Sequence, residues 1–443
     1  MTVASFYLAT LGCKVNQYES HALREAWLRL GLREAAKPAD AGLIVVNSCA
    51  VTAGAVADMR AAVRRLHRAA PEAAILVTGC AAEIMPADIA QLPGVLRVVP
   101  QHDKPALLQG LPLPGGKTAL NGPLSEKPPY PPFALSGYAR SRAVLKVQDG
   151  CSHRCGYCVV PLTRGPARSR SFDDSLAEAK RLLTAGFREI VISGVNLRQY
   201  RQPGGDFWDL LRGLDKALAP EWKGRARFRV SSLEPGQLGE KALDVLADCR
   251  LVAPHLHISL QSGSPTVLSR MGRGHYDPRR LPDFLSALRA LWPVYGLGAD
   301  LLSGFPAESD AEFDEGLALV RDLPLTYAHV FPYSRRPGTA AAAMPGHIAP
   351  ELKKERAAAL RAVAQAKKRA FSESLLATAV MRVVLEDRAG KGRRQGMNEY
   401  YVDCALADDP EKRRLPAREL LRAKPLSVTD DGLLVRPAHE GGP

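Results

Sequence analysis

Three cysteines stand within eight residues of one another, as Cys151-x-x-x-Cys155-x-x-Cys158. Thiolates at this spacing can hold three corners of an iron–sulfur cube, and a set of three leaves one iron open to a substrate or cofactor. Zinc is the other soft-ligand reading, but it would want a fourth Cys or His at short spacing. His153 lies inside the loop, yet Cys-Ser-His-Arg-Cys is not the spacing of a zinc ribbon, so iron–sulfur is favoured. A disulfide framework is disfavoured because a chain of 443 residues needs no staples.

A second set is scattered in sequence and gathered by topology. Cys13, Cys49 and Cys80 are 36 and 31 residues apart, each interval one strand–helix unit. Each falls within a few residues of the C-terminal end of an expected strand, and in an open parallel sheet those ends share one edge where ligands bind. Small cysteines packed at strand ends are common individually. Three at one topological position favour a second metal cluster. Cys249 and Cys404 lack such company and read as structural.

The elements that position these thiols follow from pattern. Ser5–Thr10, Leu43–Asn47 and Ala74–Thr78 read as strands, with helices from Asn16, a candidate N-cap, to Leu30 and from Ala55 to Ala70. This βαβαβ rhythm implies a parallel sheet with right-handed crossovers over residues 1–110. Residues 111–138 are rich in Pro and Gly and read as a linker. Six further strands are expected at Ala143–Gln148, Glu189–Ser193, Arg227–Ser231, His255–Leu260, Gly298–Leu302 and Ala328–Tyr333, with helices such as Asp174–Ala185 and Asp310–Leu323 between them. Six βα units over residues 139–350 favour a partial (β/α)6 barrel over an open sheet. A basic helix over 351–378 and a small β-barrel over 379–443 complete an α/β architecture.

Composition bounds the rest. Sixty Lys and Arg against 46 Asp and Glu give a net charge of +14, with 46% hydrophobic and 24% charged residues. Those fractions exclude a fibrous or wholly disordered chain. No apolar run approaches the roughly 18 residues of a membrane helix, and no basic stretch precedes the first apolar one as in a secretory signal. A soluble, cytoplasmic protein is expected, and its charge suits a polyanionic partner such as nucleic acid as well as solubility.

At the cysteines the sequence resembles a known family. Leu145-Lys146-Val147-Gln148-Asp149-Gly150-Cys151, continuing through Pro161 and Arg164-Gly165, is similar to the cluster loop of radical S-adenosylmethionine (SAM) methylthiotransferases. Thr10-Leu11-Gly12-Cys13-Lys14-Val15-Asn16-Gln17-Tyr18-Glu19 resembles the opening of the tRNA N6-threonylcarbamoyladenosine branch. The similarity continues in Asn47-Ser48-Cys49-Ala50-Val51-Thr52, Thr78-Gly79-Cys80, Ser193-Gly194-Val195-Asn196, Ser231-Ser232-Leu233-Glu234-Pro235, His255–Gly263 and His329–Ser334. The resemblance implies two 4Fe-4S clusters, one on Cys151, Cys155 and Cys158 that binds SAM, the other on Cys13, Cys49 and Cys80 that holds the sulfur to be transferred. It also implies a radical methylthiolation at carbon 2 of the modified adenine in the tRNA anticodon stem-loop. An electron donor such as flavodoxin or ferredoxin and a sulfur donor would be needed, and no membrane.

Residues at C-terminal strand ends of a barrel line its catalytic mouth. With the resemblance, that rule selects Tyr157, Ser193, Gly194, Asn196, Ser231, Glu234 and Gln261 as SAM contacts. His255 and His257 alternate with apolar residues on a strand and read as hydrogen-bonded core rather than proton shuttles. The C-terminal barrel resembles the RNA-holding TRAM barrel, but Asn398 and Tyr400 stand where that pattern would want Thr and Asn. Tyr401 is a candidate for stacking on a base. Residues 140–170 carry a net +6 and residues 351–370 a net +5, whereas residues 371–443 sum to zero. Arg164, Arg168, Arg170, Lys367 and Lys368 are therefore the expected phosphate contacts. Rival readings are methylthiolation of isopentenyladenosine or of a ribosomal-protein aspartate, and a non-catalytic iron–sulfur or zinc RNA-binding redox sensor.

Overall fold

The computed structural model describes residues 5–111, 130–390, 393–407 and 416–438. The chain divides into two compact units, one drawn from Met1–Gly137, Lys146–Arg170 and Ser334–Ala342, the other from Tyr138–Leu145, Ser171–Tyr333 and Ala343–Pro443.

The first unit is built on five strands: β1 (Ser5–Thr10), β2 (Arg33–Glu34), β3 (Leu43–Ser48), β4 (Ala74–Gly79) and β5 (Val95–Pro100). They are all parallel, in the order β2-β1-β3-β4-β5. Central β3 is buried along its whole length, which its unbroken Leu-Ile-Val-Val run anticipates. Edge strands β2 and β5 escaped the sequence reading; β2 has two residues, and β5 exposes Leu96 and Arg97. Helix α1 (Lys14–Arg29) buries Val15, Tyr18, Ala22, Leu23, Ala26 and Trp27 at helical spacing, and the chain turns at Gly31 with φ +83°. Its N-cap is Cys13, not Asn16, because Asn16 is wholly buried inside the helix. Helix α2 (Ala53–Ala69) is capped by Thr52, and α3 (Cys80–Ile84) and α4 (Pro86–Ala90) lead into β5.

Residues 112–129 of the expected linker lie outside the described residues. Residues 130–137 belong to the first unit and pack on it: Phe133 and Leu135 are buried, the Tyr18 hydroxyl donates to the Phe133 carbonyl, and Glu25 accepts from the Ser136 and Gly137 amides.

Strand β6 (Arg142–Lys146) opens the barrel, and the chain then forms the cysteine loop of the first unit: β7 (Gln148–Asp149), α5 (Val160–Arg164) and β8 (Arg168–Ser169), with β7 and β8 antiparallel. The second unit resumes with α6 (Phe172–Thr184), β9 (Glu189–Ser193), the ribbon β10 (Arg201–Gln202) and β11 (Gly205–Asp206), α7 (Phe207–Trp222), β12 (Arg227–Val230), α8 (Glu240–Asp248) and β13 (His255–Gln261). It continues through α9 (Pro265–Arg270), α10 (Leu281–Leu291), β14 (Gly296–Ser303), α11 (Asp310–Asp322) and β15 (Tyr327–Pro332). Three strands run in the order β6-β9-β12 and three in the order β13-β14-β15, and single parallel bridges at Phe228–Val252 and Leu233–Ile258 join the two sets. The six expected strands thus form the expected partial (β/α)6 barrel.

After α12 (Ala340–Ala343) and the 25-residue α13 (Pro350–Ser374), the chain closes a five-stranded barrel. Its strands are β16 (Met381–Gly390), β17 (Arg393–Asn398), β18 (Asp403–Leu406), β19 (Leu420–Val428) and β20 (Leu433–Pro437). They close in the order β16-β17-β18-β20-β19. Cys404 is part of its apolar core, with Met381, Val383, Leu385 and Val435. Among the described residues no helix is long and apolar enough to cross a membrane.

The floor of the larger barrel is an ion layer. Glu189 on β9 accepts from Arg227 Nε at 2.6 Å and from Arg229 Nε at 2.8 Å, both on β12. Burial alone would raise the Glu189 carboxyl, but the two guanidiniums hold it well below the usual carboxylate range. The remaining guanidinium donors reach the carbonyls of Arg382, Met397, Asn398 and Glu399 in the smaller barrel. Replacing Glu189 by Gln leaves two buried cations facing a neutral amide, so E189Q should cost about 3–5 kcal/mol. Loss of the exposed Arg369–Glu373 pair should cost under about 1 kcal/mol. Denaturant midpoints of the two variants check the contrast. Because the folded carboxyl lies below its unfolded value of about 4.3, its contribution is complete above that pH and is lost on further acidification.

Candidate functional site

In the first unit, the loops after β1 and β3 and the start of α3 after β4 present Cys13, Cys49 and Cys80 at the C-terminal edge of the sheet. Cys13 is exposed, while Cys49 and Cys80 are 5% and 6% exposed. Two glycines permit the approach. Gly12 has φ +94°, and a Cβ there would lie 2.6 Å from Cys49 Cβ and 2.8 Å from its sulfur. Gly79, at φ +98°, would place a Cβ 2.4 Å from the Ser48 carbonyl. Burial raises the Cys49 thiol, and the nearby Cys13 and Cys80 sulfurs push it further up. Three thiols that repel one another as thiolates suit a shared cationic metal centre.

Near Cys49 stands a cation that needs an anion. Arg336 is 4% exposed, and its Nε and Nη2 have no hydrogen-bond partner among the described residues. Burial lowers its pKa, and only the Cys49 sulfur opposes that shift. An orphaned guanidinium near the Cys49 thiol fits a thiolate-ligated cluster, whose net charge is negative and whose sulfurs accept hydrogen bonds. Arg336 was not singled out in the sequence; its burial is the signal, and burial is not legible in a Pro/Gly-rich stretch.

The second cysteine set occupies the loop between β7 and β8. The Cys151 amide donates to the Gly165 carbonyl at 3.0 Å, the Cys158 amide to the Cys155 carbonyl at 3.0 Å, and the Val160 amide to Cys158 Sγ at 3.5 Å. An amide aimed at a cysteine sulfur is the kind of contact that stabilises an iron–sulfur ligand. Tyr157 lies in the turn between Cys155 and Cys158, and the Ala341 amide donates to the Gly156 carbonyl of the same turn.

A buried ion network braces both loops. Glu19 on α1 accepts from Lys104 Nζ at 2.7 Å, Lys146 Nζ at 2.8 Å and Arg164 Nη1 at 2.7 Å. Asp149 accepts from Lys146 and Arg164, and Arg164 Nη2 donates to Asn16 Oδ1 at 2.7 Å. Asn16 Nδ2 in turn donates to the carbonyls of Leu11 and Ser48, in the loops that carry Cys13 and Cys49. Burial would raise Glu19, but Arg164, Lys104 and Lys146 hold it well below its ordinary value. Three cations against two carboxylates leave a positive excess, and both Lys104 and Arg164 feel the Cys80 sulfur.

This network corrects two of the expected phosphate contacts. Arg164 and Arg170 are 7% and 5% exposed, and Arg170 donates to the Tyr18 hydroxyl at 3.3 Å. They are internal braces, because fixing a cluster loop takes charge that a sequence count credits to the surface. Arg168 remains half-exposed, 4.0 Å from Asp149. In the second unit Lys367 donates to the Leu323 carbonyl at the end of α11, while Lys368 is half-buried on α13.

At the mouth of the larger barrel, the Ser193 and Ser231 hydroxyls are 3.2 Å apart at the ends of β9 and β12. Gly194 follows β9. Asn196 Nδ2 donates to Glu234 Oε1 at 3.2 Å. Glu234 also pairs with Arg198, Arg273 and His275, basic residues that sequence reasoning missed because they come from two segments far apart in sequence. Gln261 closes β13 with φ +63°, a strained conformation for a residue other than glycine, beside an irregularity in the pairing of β13 with β14. Strain of this kind collects at functional sites.

Tyr401 takes a different place from the expected base-stacking one. Asn398 Oδ1 accepts from the Tyr400 and Val402 amides, forming a tight turn in which Tyr401 has φ +68°. The Tyr401 ring packs against His255 and Tyr327, with Arg142 and Arg229 over it. It plugs the barrel floor. Asn398, the departure from the TRAM-like pattern, is the residue that builds this turn.

Comparison with known proteins gives two family matches. Residues 5–100 match the Uncharacterized protein family UPF0004 and residues 145–320 the Radical SAM superfamily. A threonylcarbamoyladenosine tRNA methylthiotransferase of Bacillus subtilis is 33% identical over 91% of this chain and 89% of its own. The enzyme of the same name from Rickettsia prowazekii is 35% identical over 80% and 81%. A tRNA-2-methylthio-N6-dimethylallyladenosine synthase of Chromobacterium violaceum is 34% identical over 87% and 88%. Among solved structures, the radical SAM methyltransferase TsrM of Kitasatospora setae, with tryptophan and a SAM analogue bound, has a TM-score of 0.57 at 16% identity, over 76% of this chain and 75% of that one. That likeness concerns the fold.

The ion network makes its own prediction. Glu19→Gln removes the one carboxylate shared by three buried cations and should destabilise the first unit by about 3–5 kcal/mol. The exposed Arg60–Asp88 pair provides a comparison expected to change stability by under about 1 kcal/mol when broken. Urea unfolding of both variants under anaerobic conditions measures the difference.

Proposed function

Since the chain belongs to the radical SAM tRNA methylthiotransferases, we propose that it methylthiolates carbon 2 of N6-threonylcarbamoyladenosine in the tRNA anticodon stem-loop, using two 4Fe-4S clusters. The observation that carries this reading is the pairing of two cysteine triads within one compact unit: one in the radical SAM loop, the other on the edge of a separate sheet. A single cluster that cleaves SAM does not by itself supply sulfur, so the second triad gives the chemistry its sulfur carrier. Cys151, Cys155 and Cys158 would hold the first cluster and Cys13, Cys49 and Cys80 the second. When bound, SAM and the first cluster supply a 5′-deoxyadenosyl radical, which can remove a hydrogen from an unreactive aromatic carbon.

The residues of this chain do the rest. Arg336, with Lys104 and Arg164 behind Cys80, would offset the negative charge gathered at the second cluster and donate hydrogen bonds to it. Tyr157, Ser193, Gly194, Asn196, Ser231, Glu234 and Gln261 would contact SAM. Arg168 and Lys368, both part-exposed, would contact phosphate. Electrons would come from a flavodoxin or ferredoxin and sulfur from a separate donor, and the enzyme would act in the cytoplasm.

The threonylcarbamoyl substrate is favoured over the isopentenyl one by the resemblance around Lys14-Val15-Asn16 and by the names of the Bacillus and Rickettsia relatives. Nucleoside mass spectrometry of tRNA from a strain lacking the gene tests it. The expected result is selective loss of 2-methylthio-N6-threonylcarbamoyladenosine, restored by the intact gene and not by a Cys49→Ala copy. Loss of the isopentenyl product instead would establish the other branch.

A further inference from the structure

The lumen of the larger barrel is organised in layers. Along β13, Leu256, Ile258 and Leu260 are fully buried in the hydrophobic core, while His255 and His257 point to the opposite face. That face is the lumen, since Arg142, Arg229, His255 and Tyr327, from four different strands, converge there on the Tyr401 ring. The bottom layer is therefore closed by the Glu189–Arg227–Arg229 ion set and Tyr401. The top layer, at the C-terminal strand ends, holds Ser193, Ser231 and Gln261.

Between them lies a layer that the sequence reading left unused. His257 on β13, Asp300 on β14 and His329 on β15 meet side by side. Asp300 Oδ1 is 3.1 Å from His257 Nε2 and 3.2 Å from His329 Nδ1. His257 Nδ1 is 2.9 Å from the Tyr327 hydroxyl, which is also 2.9 Å from His255 Nε2. Gly298, between these strands, has no side chain, and a Cβ there would lie 2.1 Å from the Tyr327 ring and 2.5 Å from His257 Nδ1. The glycine lets the phenol lie across the strand and fixes the His257 ring.

Asp300 differs from the carboxylates of the buried ion pairs. Glu19, Asp149, Glu189 and Glu308 each pair with Lys or Arg, whereas Asp300 has only the two imidazoles, both on one oxygen. Burial opposes its ionisation, yet hydrogen bonds from His257 and His329 hold it ionised. Its Oδ2 has no hydrogen-bond partner among the described residues, and the layer is open to the lumen: the Asp300 side chain is 23% exposed and that of His329 52%. A ligand reaching this depth meets an unsatisfied carboxylate acceptor and an accessible imidazole. A hydrocarbon tail would desolvate both and return no hydrogen bond. A substituent with a hydroxyl or N–H donor and a carboxylate acceptor satisfies both.

We infer that His257, Asp300 and His329, oriented by Tyr327, form the socket that reads the polar N6 substituent of the adenine and excludes an isopentenyl group. Asp300 Oδ2 takes the hydroxyl or ureido N–H, and His329, donating from Nδ1 to Asp300, donates from Nε2 to the carboxylate. This inference rests on the proposed threonylcarbamoyl substrate and assigns the residues that select it.

The test uses the anaerobically reconstituted full-length enzyme and three anticodon stem-loop RNAs, whose target adenosine carries threonylcarbamoyl, isopentenyl or no N6 group. Equilibrium affinity is measured by fluorescence anisotropy, and kcat and KM by product mass spectrometry. Wild type should prefer the threonylcarbamoyl RNA over the isopentenyl one by at least about 100-fold in kcat/KM. His329→Ala and Asp300→Asn should each weaken binding of the threonylcarbamoyl RNA on the order of 10- to 100-fold and leave affinity for the unmodified RNA as it was. His329→Gln, which keeps a donor, should recover part of the loss. Iron content and far-UV circular dichroism verify folding; should Asp300→Asn fail that check, the half-exposed His329→Ala decides the matter. Wild type that ignores the threonylcarbamoyl group defeats the substrate reading and the socket together. Wild type that selects it, with variants that select it equally well, defeats the socket alone. Zinc held stoichiometrically by wild type and lost in His329→Ala would also overturn the socket, making the layer a metal site.

Discussion

Glu19 is the residue on which the first unit turns. A carboxylate with no solvent contact is unfavourable in an apolar interior, and three buried cations are more so; each is stable only because of the other. The cations arrive from positions 104, 146 and 164, so one carboxylate ties the first helix to the end of the α/β sheet and to the radical SAM loop. Asn16, one turn earlier on the same helix, carries the tie to the loops of Cys13 and Cys49. The two cysteine triads are therefore braced by one electrostatic knot. Its surplus positive charge acts on the Cys80 sulfur, which is the sign an anionic, thiolate-ligated centre requires.

The second unit solves a different problem, how to keep a wide polar barrel closed at one end. Its floor is another buried ion set, Glu189 with two arginines, whose remaining donors are satisfied by backbone carbonyls of the small C-terminal barrel. The Asn398 turn and Tyr401 complete the plug. The small barrel thus has a structural duty that a role in holding RNA would not reveal. Above the floor, polar side chains replace the aliphatic layers that fill an ordinary (β/α) barrel, and the lumen becomes a well rather than a core.

The regular elements were legible because their burial is periodic. Strands such as Glu189–Ser193 and Leu43–Ser48 are built on the unbroken apolar runs 190–192 and 43–46, and helix α11 announces itself with Ser309 and Glu312 in a reciprocal cap. What escaped were edges and bends: two-residue β2, half-exposed β5, and β19 with Pro425 at an irregularity of its pairing. The six cysteines could be grouped because topology repeats their position. The ion networks could not, since Glu19 and Arg164 lie 145 residues apart and each looks like an ordinary surface charge. For the same reason the basic stretch at 140–170 suggested an RNA-facing surface, although Lys146, Arg164 and Arg170 are spent internally. The departure at Asn398 was visible in the sequence, but its meaning required the turn it builds.

The account stands or falls on the division of labour between the two triads. The most direct measurement is iron content and Mössbauer spectra of the anaerobically reconstituted enzyme and its Cys13→Ala/Cys49→Ala/Cys80→Ala variant, with SAM cleavage and tRNA methylthiolation assayed on both. Two cubanes predict about eight irons per chain falling to about four. SAM cleavage should persist in the variant while methylthiolation disappears. An unchanged iron count, or methylthiolation that survives loss of all three thiols, would contradict the account.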